Sequence, residues 1–128
     1  METFFASPQR AGDDEFKNDL EFISQNSVIK GMMNAQCGLF AVLNEHRQIL
    51  TLNKALLEKL GVRDAKDVLG ARPGEAIRCI HADKMPGGCG TSEFCSTCGA
   101  AAAIVTSISQ QIPVERECAL TVLITTVN

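Results

Sequence analysis

From Asp13 onward the apolar residues recur at intervals of three or four: Phe16, Leu20 and Ile23, continued past Ser27 by Val28, Met32 and Met33. This period predicts a helix over residues 14–34. Asp13-Asp14-Glu15 places carboxylates where the positive end of a helix dipole favours them. The apolar stripe suits either of two uses: covering the core of the domain, or meeting a second helix as a dimer seam. Ahead of it, residues 1–13 mix Ser, Pro, Gln, Arg and Gly without periodicity and read as a disordered tail.

Beyond residue 36 the pattern shortens. The run Gly38-Leu-Phe-Ala-Val-Leu43, the polar Asn44-Glu-His-Arg47 and the run Gln48-Ile-Leu-Thr-Leu52 predict strand, turn and strand, a hairpin. His46 falls in the turn and reads as a solvated turn residue, not as a ligand. Asn53 is placed to cap a helix with Ala55, Leu56, Leu57 and Leu60 as its buried face and Gly61 as its stop. A second helical segment runs from Asp64 to Leu69 and ends at Gly70, and Pro73-Gly74 opens a turn near Glu75-Ala-Ile77. Cys98 to Ile108 reads as a helix with a small-residue first half. Pro113 then breaks the chain, and Val114 to Val127 has strand composition. The order predicts an α+β domain, an antiparallel sheet with short helices preceded by an N-terminal helix.

Composition narrows the setting. A chain of 128 residues is long enough for one modest core. A net charge of −3 and the lack of any Lys/Arg stripe exclude a nucleic-acid footprint. No apolar run approaches the roughly 18 residues that cross a bilayer. The N-terminus Met-Glu-Thr-Phe-Phe-Ala-Ser-Pro lacks the basic and apolar regions of a secretory signal, so the expected location is cytoplasmic, with thiols mostly reduced.

That expectation matters because four of the six cysteines lie between Cys79 and Cys98, spaced C-x9-C-x5-C-x2-C, with His81 in the longest gap. Four thiolates match the ligand count of a tetrahedral zinc or an iron–sulfur cluster. The candidate metal ligands are Cys79, Cys89, Cys95 and Cys98, with His81 as an alternative ligand, and the cofactor would be an iron–sulfur cluster or zinc. Zinc would staple the loop, whereas a cluster would sense oxygen or redox state. The irregular gaps differ from a zinc ribbon of two Cys-x-x-Cys knuckles. A second reading is a thiol switch, because Cys95-Ser-Thr-Cys98 comes just before a helix, and a helix N-terminus favours a thiolate. The bland reading is that these are small buried hydrophobes, a description that fits Cys37 and Cys118 in or beside strand segments.

No catalytic set stands out, and the segment is not expected to be an enzyme. Cys79 and His81 are too close in sequence to divide the roles of nucleophile and base, and no oxyanion motif accompanies them. Gly87-Gly88-Cys89-Gly90 lacks the spacing and the following Lys-Ser/Thr of a phosphate loop. Glu115 and Glu117 alternate with Arg116 as a solvated strand face would.

The stretch from Gly38 through Asn53 to Leu60-Gly61 resembles the opening of a PAS sensor domain, where a hairpin leads into an Asn that starts the next helix and Leu-Gly ends it. Asp67-Val-Leu-Gly70 is similar to that family's second Leu-Gly step. Arg72-Pro-Gly-Glu75, followed by Cys79-Ile-His81 and Gly88-Cys89-Gly-Thr-Ser-Glu-Phe-Cys-x-x-Cys98-Gly, resembles a cysteine-bearing PAS subgroup of bacterial sensor kinases and related signalling proteins. The resemblance implies a PAS-like domain over residues 36–128, helices on one face of an antiparallel sheet, and a possible dimer or signal helix at 14–34. It also implies a regulatory sensor in signal transduction, a homodimer, a downstream signalling domain in the same parent chain, and no contact with nucleic acid or membrane. The alternatives are a non-sensing dimerisation module with structural zinc or no metal, and a domain binding a small ligand. A complete PAS sheet has five strands, and this chain supplies two plus one long C-terminal run. The expectation is a domain incomplete at its C-terminal end, or a sheet completed by another chain.

Overall fold

The computed structural model of the chain describes residues 2–35, 38–82 and 84–116. Among them the fold is α+β, with five α-helices and one two-stranded antiparallel sheet. The chain sorts into two compact units, Arg10–Ala71 and a second built from Met1–Gln9 with Arg72–Asn128.

The Arg10–Ala71 unit opens with α1 (Asp13–Gln25) and α2 (Ser27–Ala35). The single helix expected over 14–34 is two, and Asn26 is the reason. Its backbone leaves the helical region at φ −89° and ψ 107°. Its Oδ1 accepts the N–H of Ile29 at 3.0 Å, which caps α2 as a short polar side chain does at a helix start. Of the two uses open to the apolar stripe, Phe16 and Ile23 serve the core. Ile23 is buried, and a Cβ at Gly70 would sit 3.3 Å from the ring of Phe16. Phe22, Val28 and Met32 remain exposed.

β1 (Ala41–Leu43) and β2 (Ile49–Leu52) form the expected hairpin, Ala41 opposite Leu52 and Val42 opposite Thr51, with a bulge before Leu43 meets Ile49. Asn44 holds the turn, its Oδ1 accepting the N–H groups of His46 and Gln48 at 2.9 Å each. The buried Gln48 side chain accepts from the Ala11 N–H at 2.9 Å and donates to the Gly70 carbonyl at 3.0 Å. Ile49 donates to the Ala71 carbonyl at 2.8 Å and accepts from the Gly70 N–H at 2.9 Å, so residues 70–71 run beside the start of β2. Ile49, Leu50, Leu52 and Val68 join Ile23 in the buried set.

Asn53 caps α3 (Lys54–Leu60) and also reaches beyond it. Its Oδ1 accepts from Leu56 N–H at 3.1 Å and from Phe40 N–H at 3.2 Å, and its Nδ2 donates to the Gly38 carbonyl at 2.8 Å. One buried amide thus ties the entry of β1 to the start of α3. The expected buried face of α3, Ala55, Leu56, Leu57 and Leu60, is half-buried. The segment expected from Asp64 to Leu69 is a single 3₁₀ turn, Ala65–Asp67, begun by the Asp64 carboxylate accepting the Lys66 N–H.

The other unit holds α4 (Pro73–Ala76), a 3₁₀ turn at Glu93–Thr97 and α5 (Gly99–Gln110). Residues 2–9, whose composition reads as a loose tail, have backbone partners here. Phe4 N–H donates to the Thr91 carbonyl and Ala6 N–H to the Gly90 carbonyl, each at 2.9 Å. Ala6 is buried. A sequence without periodicity is irregular in form, but buried backbone donors and acceptors still require partners. Of the strand expected over 114–127, residues 114–116 are irregular, and the rest lies outside the described residues together with Glu117, Cys118 and Cys37. No helix among the described residues is long and apolar enough to cross a membrane.

Candidate functional site: the cysteine loop

Arg72 introduces the loop and is fully buried, at 0% exposure. A guanidinium removed from water needs acceptors for its N–H groups, and backbone carbonyls supply them. Nη1 donates to Gly87 at 2.8 Å and to Cys89 at 3.4 Å, while Nη2 donates to Gln9 at 2.7 Å and to Ser7 at 3.3 Å. One side chain therefore joins the N-terminal segment to the glycine-rich arm of the loop.

Glu75 completes the frame. Its Oε1 accepts the Arg72 N–H at 3.0 Å, the carboxylate half of a capping box on α4, and its Oε2 accepts the Cys89 N–H at 3.1 Å. Pro73 at the first turn needs no hydrogen-bond partner for its nitrogen, which suits it to that position.

Gly74 is buried, with two cysteines packed where its side chain would be. A Cβ at this position would lie 2.6 Å from Cys89 Sγ and 3.4 Å from Cys79 Cβ. The missing side chain is what lets Cys79 and Cys89 both approach one point of the α4 backbone. The Cys79 N–H donates to the Gly74 carbonyl at 2.7 Å, which fixes the second cysteine to the same residue.

The remaining two cysteines share one turn. Ser92 Oγ accepts the Phe94 N–H at 3.1 Å and starts the 3₁₀ turn. Cys95 N–H then donates to the Ser92 carbonyl at 3.0 Å, and Cys98 N–H to the Cys95 carbonyl at 3.1 Å. Cys95 is buried and Cys98 half-buried, and Cys98 immediately precedes α5. His81 stacks on Phe94 with ring centroids 4.5 Å apart and planes 18° from parallel. Its Nδ1 is buried and has no hydrogen-bond partner.

All four loop cysteines are thiols. A tetrahedral zinc–thiolate site spaces its sulfurs about 3.8 Å apart. Among the described residues, no three of Cys79, His81, Cys89, Cys95 and Cys98 bring ligand atoms within 4.8 Å of one another; Glu15, Glu45 and His46 are the group that does. The arrangement therefore offers thiols at two local places, beside Gly74 and in the turn before α5.

Arg72 and Glu75 stand in the sequence as Arg-Pro-Gly-Glu, and a role for them is missing from the sequence reading. The signal was there: Pro at the first helical position with Glu two residues on marks a capped helix start. His46, read as a solvated turn residue, has a side chain only 15% exposed. Comparison with protein-family models, curated proteins and solved structures yields no match to this chain.

Proposed function

We propose that the chain is a PAS-type regulatory module of a bacterial signalling protein whose cysteine loop responds to redox state through its thiols. The hairpin and the Asn53-capped helix support the PAS reading. The observation that carries the sensing reading is the placement of Cys79 and Cys89 together beside Gly74, around the point where a side chain would stand. The same Arg72–Glu75 frame grips the Cys89 backbone and the segment that precedes α1 in the chain. Oxidation of two thiols to a disulfide releases two protons and two electrons, and a peroxide accepts both as it is reduced to water. A new sulfur–sulfur bond at Cys89 would pull on the backbone N–H that Glu75 holds, which is the link from chemistry to conformation.

Two measurements test this. Exposed to hydrogen peroxide, the chain should lose loop thiols in pairs, and mass spectrometry should recover Cys79–Cys89 or Cys95–Cys98 linked peptides that vanish in Cys79→Ser or Cys95→Ser. Metal analysis of anaerobically purified protein supplies the other arm. One zinc, or iron with a brown colour, together with protection of all four loop thiols from alkylation, would put a metal centre in place of the thiol switch. Loop thiols that form no disulfide, bind no metal and alkylate no differently from Cys37 and Cys118 would end the sensing proposal.

The proposal includes self-association of the module, with a signalling domain elsewhere in the parent protein. Phe22, Val28 and Met32 on α1 and α2 are the exposed apolar residues available for a helix seam. Sedimentation should show a dimer weakened by Phe22→Glu, a change that leaves the buried Ile23 face intact. A monomer at high micromolar concentration would remove the dimer from the proposal.

A further inference from the structure

Three potential ligands meet in the Arg10–Ala71 unit, away from any cysteine in the described residues of that unit. Glu15 stands in the first turn of α1, and Glu45 and His46 stand in the turn between β1 and β2. His46 Nε2 lies 3.5 Å from Glu15 Oε1 and 3.5 Å from Glu45 Oε1. One ligand atom from each of the three falls within 4.8 Å of the other two. Both carboxylates are open to water, at 50% and 71% exposure, while the imidazole is 15% exposed.

A tetrahedral ion with ligand bonds of about 2.1 Å spaces its ligand atoms about 3.4 Å apart. Both 3.5 Å separations are measured from the one imidazole nitrogen, Nε2, and are of that size. The two carboxylates, Glu15 and Glu45, line a cleft of about 250 Å³ together with Asp19, Asn44 and Leu50, which gives room for water on their side of the group. One imidazole nitrogen with carboxylate oxygens is a ligand set suited to divalent first-row ions such as Zn²⁺ and Mn²⁺.

We infer that Glu15, Glu45 and His46 form a binding site for a divalent first-row transition-metal ion. The ion would clip the first turn of α1 to the tip of the hairpin, joining two elements far apart in sequence. This site is independent of the cysteine loop and of the sensing proposal.

The test uses Mn²⁺, because thiols of the loop would compete for Zn²⁺ whereas Mn²⁺ prefers oxygen and imidazole ligands. Titrated into the ¹⁵N-labelled full chain, Mn²⁺ should broaden the amide signals around residues 15, 45 and 46 first, at close to one ion per chain. His46→Gln and Glu45→Gln should each weaken binding at least tenfold while the amide shifts of Ile49 and Leu52 stay in place. Glu45 is the more exposed of the two carboxylates, so its replacement separates lost binding from lost fold. Broadening that spreads evenly over Asp13, Asp14 and Asp19 and survives both substitutions would mean diffuse attraction to an acidic surface, and would overturn the inference.

Discussion

Replacing Arg72 with Ala should destabilise the protein by on the order of 3–5 kcal/mol, the combined cost of losing several hydrogen bonds from one charged donor and leaving buried acceptors unmatched. The guanidinium is fully buried and donates to the carbonyls of Ser7, Gln9, Gly87 and Cys89. Truncation leaves those acceptors without their donor, and a hydrogen bond to a charged group contributes about 1.5–3 kcal/mol net. A domain of ordinary stability, about 5–15 kcal/mol, would lose a large part of it. Lys should recover less than half, because an ammonium is a point donor and cannot fork toward carbonyls on two segments. Urea unfolding gives the magnitude. Hydrogen exchange gives the location: the amides of Phe4 and Ala6, which donate to Thr91 and Gly90, should lose protection before those of β2. A shift under about 1 kcal/mol, or unchanged protection at Phe4 and Ala6, would show that Arg72 is not the tie between these segments.

What the sequence made legible follows from the range of the interactions involved. The hairpin, the cap at Asn53 and the helix after Cys98 depend on neighbours a few residues away, so periodicity and cap residues reveal them. The break at Asn26 is equally local: an Asn inside an apolar stripe can cap a new helix, and the stripe's period hid that option. The N-terminal segment depends on Arg72, more than sixty residues distant, and no local pattern announces that pairing. The cysteine loop was visible as a cluster, but which cysteines pack against the α4 backbone is decided by a glycine. Gly74 sits in a Pro-Gly pair that reads as turn punctuation, whereas its structural use is to admit Cys89 Sγ against the α4 backbone. His46 and Glu45 were visible only as polar turn residues, because Glu15, the other carboxylate beside the imidazole, belongs to another element.

Gly74→Ala isolates that close approach. The added methyl would stand 2.6 Å from Cys89 Sγ and 3.3 Å from Cys89 Cβ, the first far inside any normal contact, so the sulfur must move or the helix start must shift. Overpacking of this kind costs about 1–3 kcal/mol, and here the displaced residue is the one whose N–H Glu75 holds. Cys89→Ala removes the sulfur and leaves space at the same spot. The double variant Gly74→Ala, Cys89→Ala should therefore be more stable than the sum of the single changes predicts, with a coupling of about 0.5–3 kcal/mol as expected for residues in direct contact. Cys95→Ala in place of Cys89→Ala should be additive with Gly74→Ala, because no Cys95 atom is among the three nearest to the added methyl. The peroxide experiment then links packing to chemistry: Gly74→Ala should change the yield of the Cys79–Cys89 disulfide and leave the Cys95–Cys98 pair unchanged. Equal coupling to both cysteines would mean that Gly74 acts through general disruption of the loop, and additivity with Cys89→Ala would mean that the sulfur does not occupy the space the glycine leaves.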